Sequence, residues 1–493
     1  MPAASAPPAP RASGDPLSPF PDFPDLPIAL DHLQTLAVAI QPPGEENPFR
    51  ADAFSQSLTD EIGYAIVGRG SVAMVFGGFL AGVLLLIVVL RGPRRREVLG
   101  WCAPVLALLA ASVLLLLGER SRRAAEPTVA VGQLVDIAPG GQEASTRGLL
   151  AAYRTEGGPA AMGAERGGLF EIDQVGVKGQ TRRLLLDDMD AWHWDGLTLP
   201  VGVRKAAFRY PVATEEPIRA LARLTAVGIE GVLTTGPFRG ASDAILLTPA
   251  DRLLAVRLEA NGLFRANGQD TLALDRFLAD TLLSDRQQRR QELYRRFLAK
   301  PAAHLRGRNI LLAWADPVEM HFQLSAGAKT VGDALLIVPL ELRPPAADTR
   351  VTIPAALVPA QRIQDGIATR VTREFSQASE QHLRFQLPAA ALPMQIERVR
   401  LAVRIDAASR PVTVSAREGE AFTEVHRVES PLDTVHVEIA EPRLLTLDER
   451  GGLHLRLTVG NPHGDKKGPE PNDDKWTLRS IELEVTGRTL PER

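Results

Sequence analysis

The chain has a single cysteine, Cys102, among 493 residues. It therefore forms no disulfide within itself and no zinc site built on several thiolates. It also lacks a surplus of charge. Lys plus Arg number 56 against 59 Asp plus Glu, a formal net charge of −3, so there is no basic domain of the kind that binds nucleic acid. Its nine histidines are scattered and outline no catalytic triad. P-loop, GxSxG, HExxH, CxxC and EF-hand patterns are all missing. These absences speak against motif-bearing enzyme families, and neither a cofactor nor a metal is expected. The length itself allows two or three domains of roughly 100 to 200 residues each.

What the sequence does have is two long stretches without charge. Residues 71–90 read SVAMVFGGFLAGVLLLIVVL, and residues 98–118 read VLGWCAPVLALLAASVLLLLG. A helix of about 20 residues rises roughly 30 Å, the thickness of a bilayer's hydrocarbon core, so both are expected to span a membrane. Pro104 in the second is tolerable, because a neighbouring helix can help satisfy the freed carbonyl. The alternatives are a buried helical hairpin of a soluble core and a cleaved signal peptide. The second is disfavoured because the first stretch begins some seventy residues into the chain.

Only Arg91 to Glu97 separate the stretches, so the helices are expected to run antiparallel as a hairpin with both chain ends on one side. Gly78 and Gly82 form a GxxxG pair. Counting outward from the turn places them level with Ala107, Ala110 and Ala111, small residues that let two backbones approach in lipid. An intramolecular seam is expected there, with a homodimer contact as the alternative. The turn, LRGPRRREVLGW, carries Arg91, Arg94, Arg95 and Arg96, and a short arginine-rich loop favours the cytoplasmic side. Arg69, Arg120, Arg122 and Arg123 flank the opposite ends, so arginines balance. Residues 1–69 hold three Arg against nine Asp plus Glu, which tilts the expectation towards an inside turn with both termini outside.

Outside the hairpin the chain is expected to be mainly β, with two β-sandwich, jelly-roll-like domains and a short helical insert. Residues 1–30 are a proline-dense leader, and 31–70 a membrane-proximal segment in which Ser57 and Asp60 mark a helix start. Residues 125–268 show short apolar runs between turn residues and read as an antiparallel sandwich. Residues 269–345 read as a helical insert with return strands. In SDRQQRRQELYRRFL, Ser284 and Gln287 form a capping box, and the helix is expected to bury Leu293, Phe297 and Leu298 while exposing its arginines to solvent or lipid headgroups. Residues 346–493 alternate strictly, as in LRFQL, VRLAVRI, VHVEI, LHLRLTV and IELEV, and read as a second sandwich.

The stretch DDMDAWHWDG, residues 187–196, gathers Asp187, Asp188, Asp190, His193 and Asp195 around two tryptophans. Aspartate and histidine together are competent for metal binding or acid–base chemistry. In a strand, however, Trp192 and Trp194 share one face and His193 and Asp195 the other, so the simplest reading has the tryptophans in a core. Trp192, His193, Trp194 and Asp195 are the candidate binding residues, and no catalytic residue is assigned. The loop GNPHGDKKGPEPNDDKW, residues 460–476, is oxygen-rich but fits no calcium motif. His436 and His454 sit on the polar phase of their strands and are expected to be solvated.

The sequence RRREVLGWCAP opening the second span, with VAVGQLVDIAPGG, GLLAAYRTEGG, SDRQQRRQELYRRFL, ILLAWADP and ALLIVPLEL, resembles uncharacterised bacterial inner-membrane proteins that accompany MoxR-type ATPases and von Willebrand factor A proteins. The resemblance covers roughly residues 70–345. It implies a soluble region facing the periplasm and a part in an envelope complex, and supplies no catalytic residues. The reading is thus a non-enzymatic inner-membrane protein that presents periplasmic β-domains to protein or glycan partners. A membrane-tethered hydrolase or carbohydrate-active enzyme is the first alternative, a structural subunit of a membrane assembly the second. The bilayer is the expected partner, other envelope proteins are candidates, and nucleic acid is not one.

Overall fold

Strands dominate the protein, and two long apolar helices stand apart from them. The computed structural model describes residues 52–63, 69–89, 96–123, 126–138, 140–172, 183–188, 191–268, 270–272, 283–299, 305, 307–324, 328–364, 367–371, 374–376, 379–461 and 476–491. The leader, Arg91, Arg94, Arg95, Asp190 and most of the 460–476 loop lie outside these residues. Arg96 opens a helix, but its side chain is outside the description as well.

Four helices are described: α1 (Asp52–Ile62), α2 (Arg69–Val89), α3 (Arg96–Arg123) and α4 (Asp285–Ala299). Helix α1 starts five residues before Ser57, so Ser57 and Asp60 lie within it rather than at its cap. It stops at Gly63, whose φ of +68° is left-handed and whose N–H donates to the Asp60 carbonyl at 3.2 Å. Helices α2 and α3 pack on each other, with Gly82 against Leu106. Both residues lie at similar distances from the short connection between the helices. A link of six residues spans about 20 Å and cannot return to the far end of a 21-residue helix, so the pair is antiparallel. The expected seam is corrected in detail. A Cβ on Gly82 would come within 2.9 Å of the Leu106 side chain, whereas Gly78 has open space beside it and Ala107 and Ala111 are exposed.

The principal strands, in chain order, are β1 (Thr128–Ile137), β2 (Glu143–Arg154), β3 (Gly202–Ala213), β4 (Arg219–Leu224), β5 (Gly228–Thr234), β6 (Ser242–Leu247), β7 (Leu263–Asn267), β8 (Ile310–Ala315) and β9 (Lys329–Arg343). A second set follows: β10 (Arg350–Ile353), β11 (Ala360–Gln364), β12 (Glu380–Gln386), β13 (Met394–Asp406), β14 (Pro411–Glu418), β15 (Thr434–Ile439), β16 (Gly452–Val459) and β17 (Trp476–Thr489).

The first set forms one body around β9. Up to Pro339 this strand runs parallel to β1 on one side and antiparallel to β8 on the other; from Leu340 to Arg343 it pairs in parallel with β4. Pro339 has no N–H for a ladder and sits where the strand passes from one sheet to the next. The sheet then runs β3–β2–β1–β9–β8–β6, and the branch runs β9–β4–β5–β7. Among the described residues the strand pairs made within 125–268 are all antiparallel, and the two parallel pairs are those of β9 with β1 and β4. The return strands of 269–345 thus stand at the centre of the first body, between β1 and β6.

The wide sheet is covered on both faces. One face carries Val131, Leu150, Phe208, Leu246, Leu311 and Leu336 into the main core. The other carries Ala130, Leu134, Ala151, Ile245, Leu312 and Leu335 against Phe54, Leu58 and Ile62 of α1 and Leu293, Tyr294 and Phe297 of α4. Burial on both faces explains why VAVGQLVDI and ILLAWA are continuous apolar runs without alternation. Gly132 leaves room on β1 for the Phe54 ring, which would collide with any Cβ there.

The second set builds two antiparallel sheets, β10–β17–β13–β15 and β11–β12–β16–β14, the latter continued beyond β14 by the strand Ala421–Glu429. Alternate residues from both, such as Leu401, Val403, Leu483 and Val485 with Leu383, Phe385, Leu455 and Leu457, enter one core. The expected strands are all present. The jelly-roll order is not, since nested pairing of first with last and second with next-to-last strands holds for β10 with β17 but fails for β11, which pairs β12. The two bodies join through the Thr352 N–H on the Thr225 carbonyl and through Arg252 with Glu482 at 2.7 Å.

Because Phe54 is buried between α1 and the sheet, Phe54→Ala should destabilise the protein by about 3 kcal/mol. The urea midpoint of the detergent-solubilised full chain measures this. A midpoint equal to the parent's would mean that α1 does not hold the sheet face.

Candidate functional site

Helix α4 begins as its sequence predicts: Ser284 N–H donates to Gln287 Oε1 at 3.1 Å, and Gln287 N–H donates to Ser284 Oγ at 3.3 Å. Its arginines depart from the expectation of a wholly solvated face. Arg286 and Arg290 lie on the same stripe as Leu293, Tyr294 and Phe297, facing the sheet, while Arg295 and Arg296 lie outside on Glu292. Arg290 is 3% exposed. Its guanidinium reaches Asp333 at 2.6 Å, Asp243 at 2.5 Å and the Ser242 hydroxyl at 3.0 Å, and lies 5.5 Å from the Trp314 ring centre. Arg286 donates to the same Asp333 at 2.9 Å and to Asp316 at 3.1 Å. Gln287 and the Tyr294 hydroxyl complete the set by donating to the Asp243 carboxylate and carbonyl. Buried charge at the sheet surface is thus matched atom by atom.

Beside this network a groove of about 780 Å³ opens between α1, α4 and the segment 316–324. Glu61 of α1, Arg286 of α4, and Asp316, Glu319 and His321 of the segment supply its polar lining, and Val131, Met320 and Phe322 are among its apolar walls. The segment is held rigidly from behind. The fully buried Gln133 amide donates to the Val318 carbonyl at 2.7 Å and accepts from the Val318 N–H at 3.0 Å. His321 has a φ of +49°, unusual for a residue with a side chain. Glu61 makes no hydrogen bond or ion pair among the described residues. Burial, followed by the charge of Asp333 on β9, pushes its carboxyl above the usual range, against the attraction of Arg289, Arg286 and Arg290 on α4.

The tryptophan stretch takes up a different position. Residues 191–195 form a strand between Met162–Ala164 and Arg183–Asp188. Trp192 is buried, donates its indole N–H to the Gly168 carbonyl at 2.7 Å and packs at a tilt on Phe170, ring centres 4.8 Å apart, while Trp194 packs half-buried on the same core. His193 pairs with Asp187 at 2.6 Å on the outer side, and Asp187, Asp188 and Asp195 are exposed. These carboxylates line none of the grooves described here. Among the described residues no set of three His, Cys, Asp or Glu gathers in a metal-ligand arrangement. His436 is exposed. The expectation of a solvated His454 is corrected: its Nε2 lies 2.9 Å from Asp448, which also receives Arg384 and the N–H groups of Arg450 and Gly452. These donors outweigh burial and hold the Asp448 carboxyl far below the usual range, fastening the turn before β16.

Sequence reasoning missed Glu61, Asp316, Glu319 and His321, because the groove joins segments some 250 residues apart. The Arg290 network did leave a signal. Arg286, Arg290, Leu293, Tyr294 and Phe297 follow helical spacing, and a charge on an apolar stripe requires a buried counter-ion.

No family model matches the chain, and no curated protein matches it. Solved structures with some likeness include a glycoside hydrolase family 43 arabinoxylan arabinofuranohydrolase from Bacillus subtilis, at 10% identity, 73% of this chain, 79% of that one and a TM-score of 0.15. Another is the Bacteroides ovatus mixed-linkage glucan utilization locus protein SGBP-B, at 9%, 71%, 72% and 0.13. Superpositions at this level assign neither a fold nor an activity.

Two outcomes follow from the site. Arg290→Met leaves Asp243 without its guanidinium and Asp333 with Arg286 alone, and should cost about 3 kcal/mol, read from urea unfolding; an unchanged midpoint would contradict the network's role. Glu61 acts in the opposite direction. Its raised folded-state pKa means that the folded protein holds a proton more tightly than the unfolded chain, so ionised Glu61 lowers stability at neutral pH, and the penalty vanishes below the unfolded value of about 4.3. Glu61→Gln should therefore raise the thermal midpoint at pH 7, with the gap closing as pH falls towards 4. A lower midpoint at pH 7 would show that ionised Glu61 is stabilising.

Proposed function

We propose that this is a membrane-anchored, non-enzymatic binding protein of the bacterial envelope, with α2 and α3 as its anchor and the two β-bodies outside the cytoplasm. The observation that carries the reading is the packing of α1 on β1. Helix α1 precedes the pair of apolar helices and β1 follows it, yet Phe54 sits on Gly132 in one core. Six residues link α1 to α2, and four link α3 to β1, or about 20 and 15 Å at full extension. A chain that left α1, crossed a bilayer once and stayed there would emerge about 30 Å from where β1 has to be. Two crossings bring it back.

The surfaces of the helices support the same reading. The apolar windows Arg69–Val88 and Trp101–Arg120 have none of their residues buried, and Met74 and Trp101 are 78% and 81% exposed. A core helix of a soluble protein would be covered by protein, and exposed side chains of this kind are stable in lipid. In this proposal the turn with Arg91, Arg94, Arg95 and Arg96 faces the cytoplasm, and both termini face the periplasm, as the resemblance to the inner-membrane proteins implies. The groove beside α1, rather than the Trp192–Asp195 stretch, is the binding site, and an envelope complex is its setting.

The test combines alkaline carbonate extraction with reporter fusions near Gly92, near Asp52 and after Arg493. Retention in the membrane, with the Asp52 and Arg493 reporters outside and the Gly92 reporter inside, is expected. Extraction into the soluble fraction, or reporters at Asp52 and Arg493 on opposite sides, would overturn the anchor. A fully inverted pattern would place the β-bodies in the cytoplasm and remove the envelope role.

A further inference from the structure

We infer that the groove between α1, α4 and residues 316–324 binds a lysine- or arginine-bearing segment of a partner protein, with the cation on Glu61 and Glu319 and neighbouring apolar side chains against Met320 and Phe322. This deepens the proposed binding role by naming the chemistry of the partner.

Charge and shape both lead there. Three carboxylates, Glu61, Asp316 and Glu319, meet in the lining with one guanidinium, Arg286. That guanidinium is already shared between Asp333 and Asp316, at 2.7 and 3.1 Å. Glu61 has no ion-pair partner among the described residues, although it is half-buried. A half-buried carboxylate left unpaired lowers stability, and a site that keeps one is poised for a cation from outside. The apolar part of the lining is too extensive for a bare ion. A volume of about 780 Å³ accommodates a charged side chain together with its flanking residues. The walls are fixed in advance, by Gln133 behind Val318 and by Asp333 behind Arg286, so ligand binding need not order them. An anionic ligand would face the three carboxylates, and a neutral sugar would leave Glu61 unpaired.

The full chain in non-ionic detergent is titrated into a fluorescein-labelled peptide, acetyl-Ala-Leu-Lys-Leu-Ala-amide, and into the same peptide with acetyl-lysine, and anisotropy is read. The lysine peptide should bind at least about tenfold more tightly than the acetylated one, and Glu61→Gln and Glu319→Lys should each weaken it by about tenfold or more. Glu424→Gln, on the second body, should leave binding unchanged. Equal binding of the two peptides, or parent-like binding by Glu61→Gln, overturns the inference. Glu61→Gln is expected to be at least as stable as the parent, so its thermal midpoint separates lost binding from lost folding. Spermidine serves as a second probe. If it binds as tightly as the lysine peptide and displaces it fully, the groove takes free polyamines and the protein partner is overturned. None of these readings depends on membrane orientation, so a failed topology experiment and a failed binding experiment remain distinguishable.

Discussion

The guanidinium of Arg290, buried between Asp333 and Asp243, is the interaction on which the rest of the first body depends. Taking one cation and two carboxylates out of water costs several kcal/mol per ion unless every hydrogen-bonding position is filled. Here Ser242, Gln287, Tyr294 and Arg286 share that task. An all-apolar contact would stabilise the sheet as well or better, but it would tolerate sliding. Charges that must meet particular oxygens on β6 and β9 tolerate only one register of α4. That register in turn aims Arg286 at Asp316 and sets one wall of the groove.

The second constraint is the double coverage of the wide sheet. Helices α1 and α4 together seal the face made by Ala130, Leu134, Leu312 and Leu335, yet they come from opposite sides of the apolar helix pair α2–α3 in the sequence. Removing α1 would strip one half of that cover and also remove Glu61 from the groove. Stability of the sheet and shape of the groove therefore share one helix, fixed by Phe54 in the space that Gly132 leaves. The second body has no comparable dependence. Its two sheets cover each other, and its half-buried ion pair, Arg384 with Asp448, fastens a turn rather than a layer.

How much of this was legible in the sequence follows from the number of faces each strand buries. The strands of the second body bury one face, so LHLRLTV and IELEV alternate and were placed correctly. In the first body, ILLAWA and ALLIV bury both faces and carry no period, which made β8 and β9 look like an annex when they are the centre. Parallel pairing between β1 and β9 joins residues about 200 apart and leaves no local trace. The counter-ions of Arg290 do leave one: SDAILL and GDALLIV both open an apolar strand with an aspartate, Asp243 and Asp333. Two such openings, together with arginines on the apolar stripe of a helix, are a sequence-level sign of a buried ion network. Trp192 and His193 drew more notice in the sequence because their chemistry is concentrated in ten residues. The structure uses Trp192 to fill a core against Phe170 and places the groove where three separate segments meet.

Chain length also limits where the groove can lie relative to the proposed anchor. Glu61 is two residues before Gly63, and Val129 is the second residue of β1, so both groove walls are only a few residues from the ends of α2 and α3. With α2 and α3 as the proposed anchor, links of six and four residues would hold those walls within about 20 Å of the hydrocarbon boundary. Large soluble partners would have to approach along the lipid surface to reach it. Smaller segments, or the membrane-proximal parts of other anchored proteins, reach it without that restriction. The same short links connect α1 directly to the anchor. In that proposal an occupant of the groove touches, at Glu61, the helix that leads directly into the anchor.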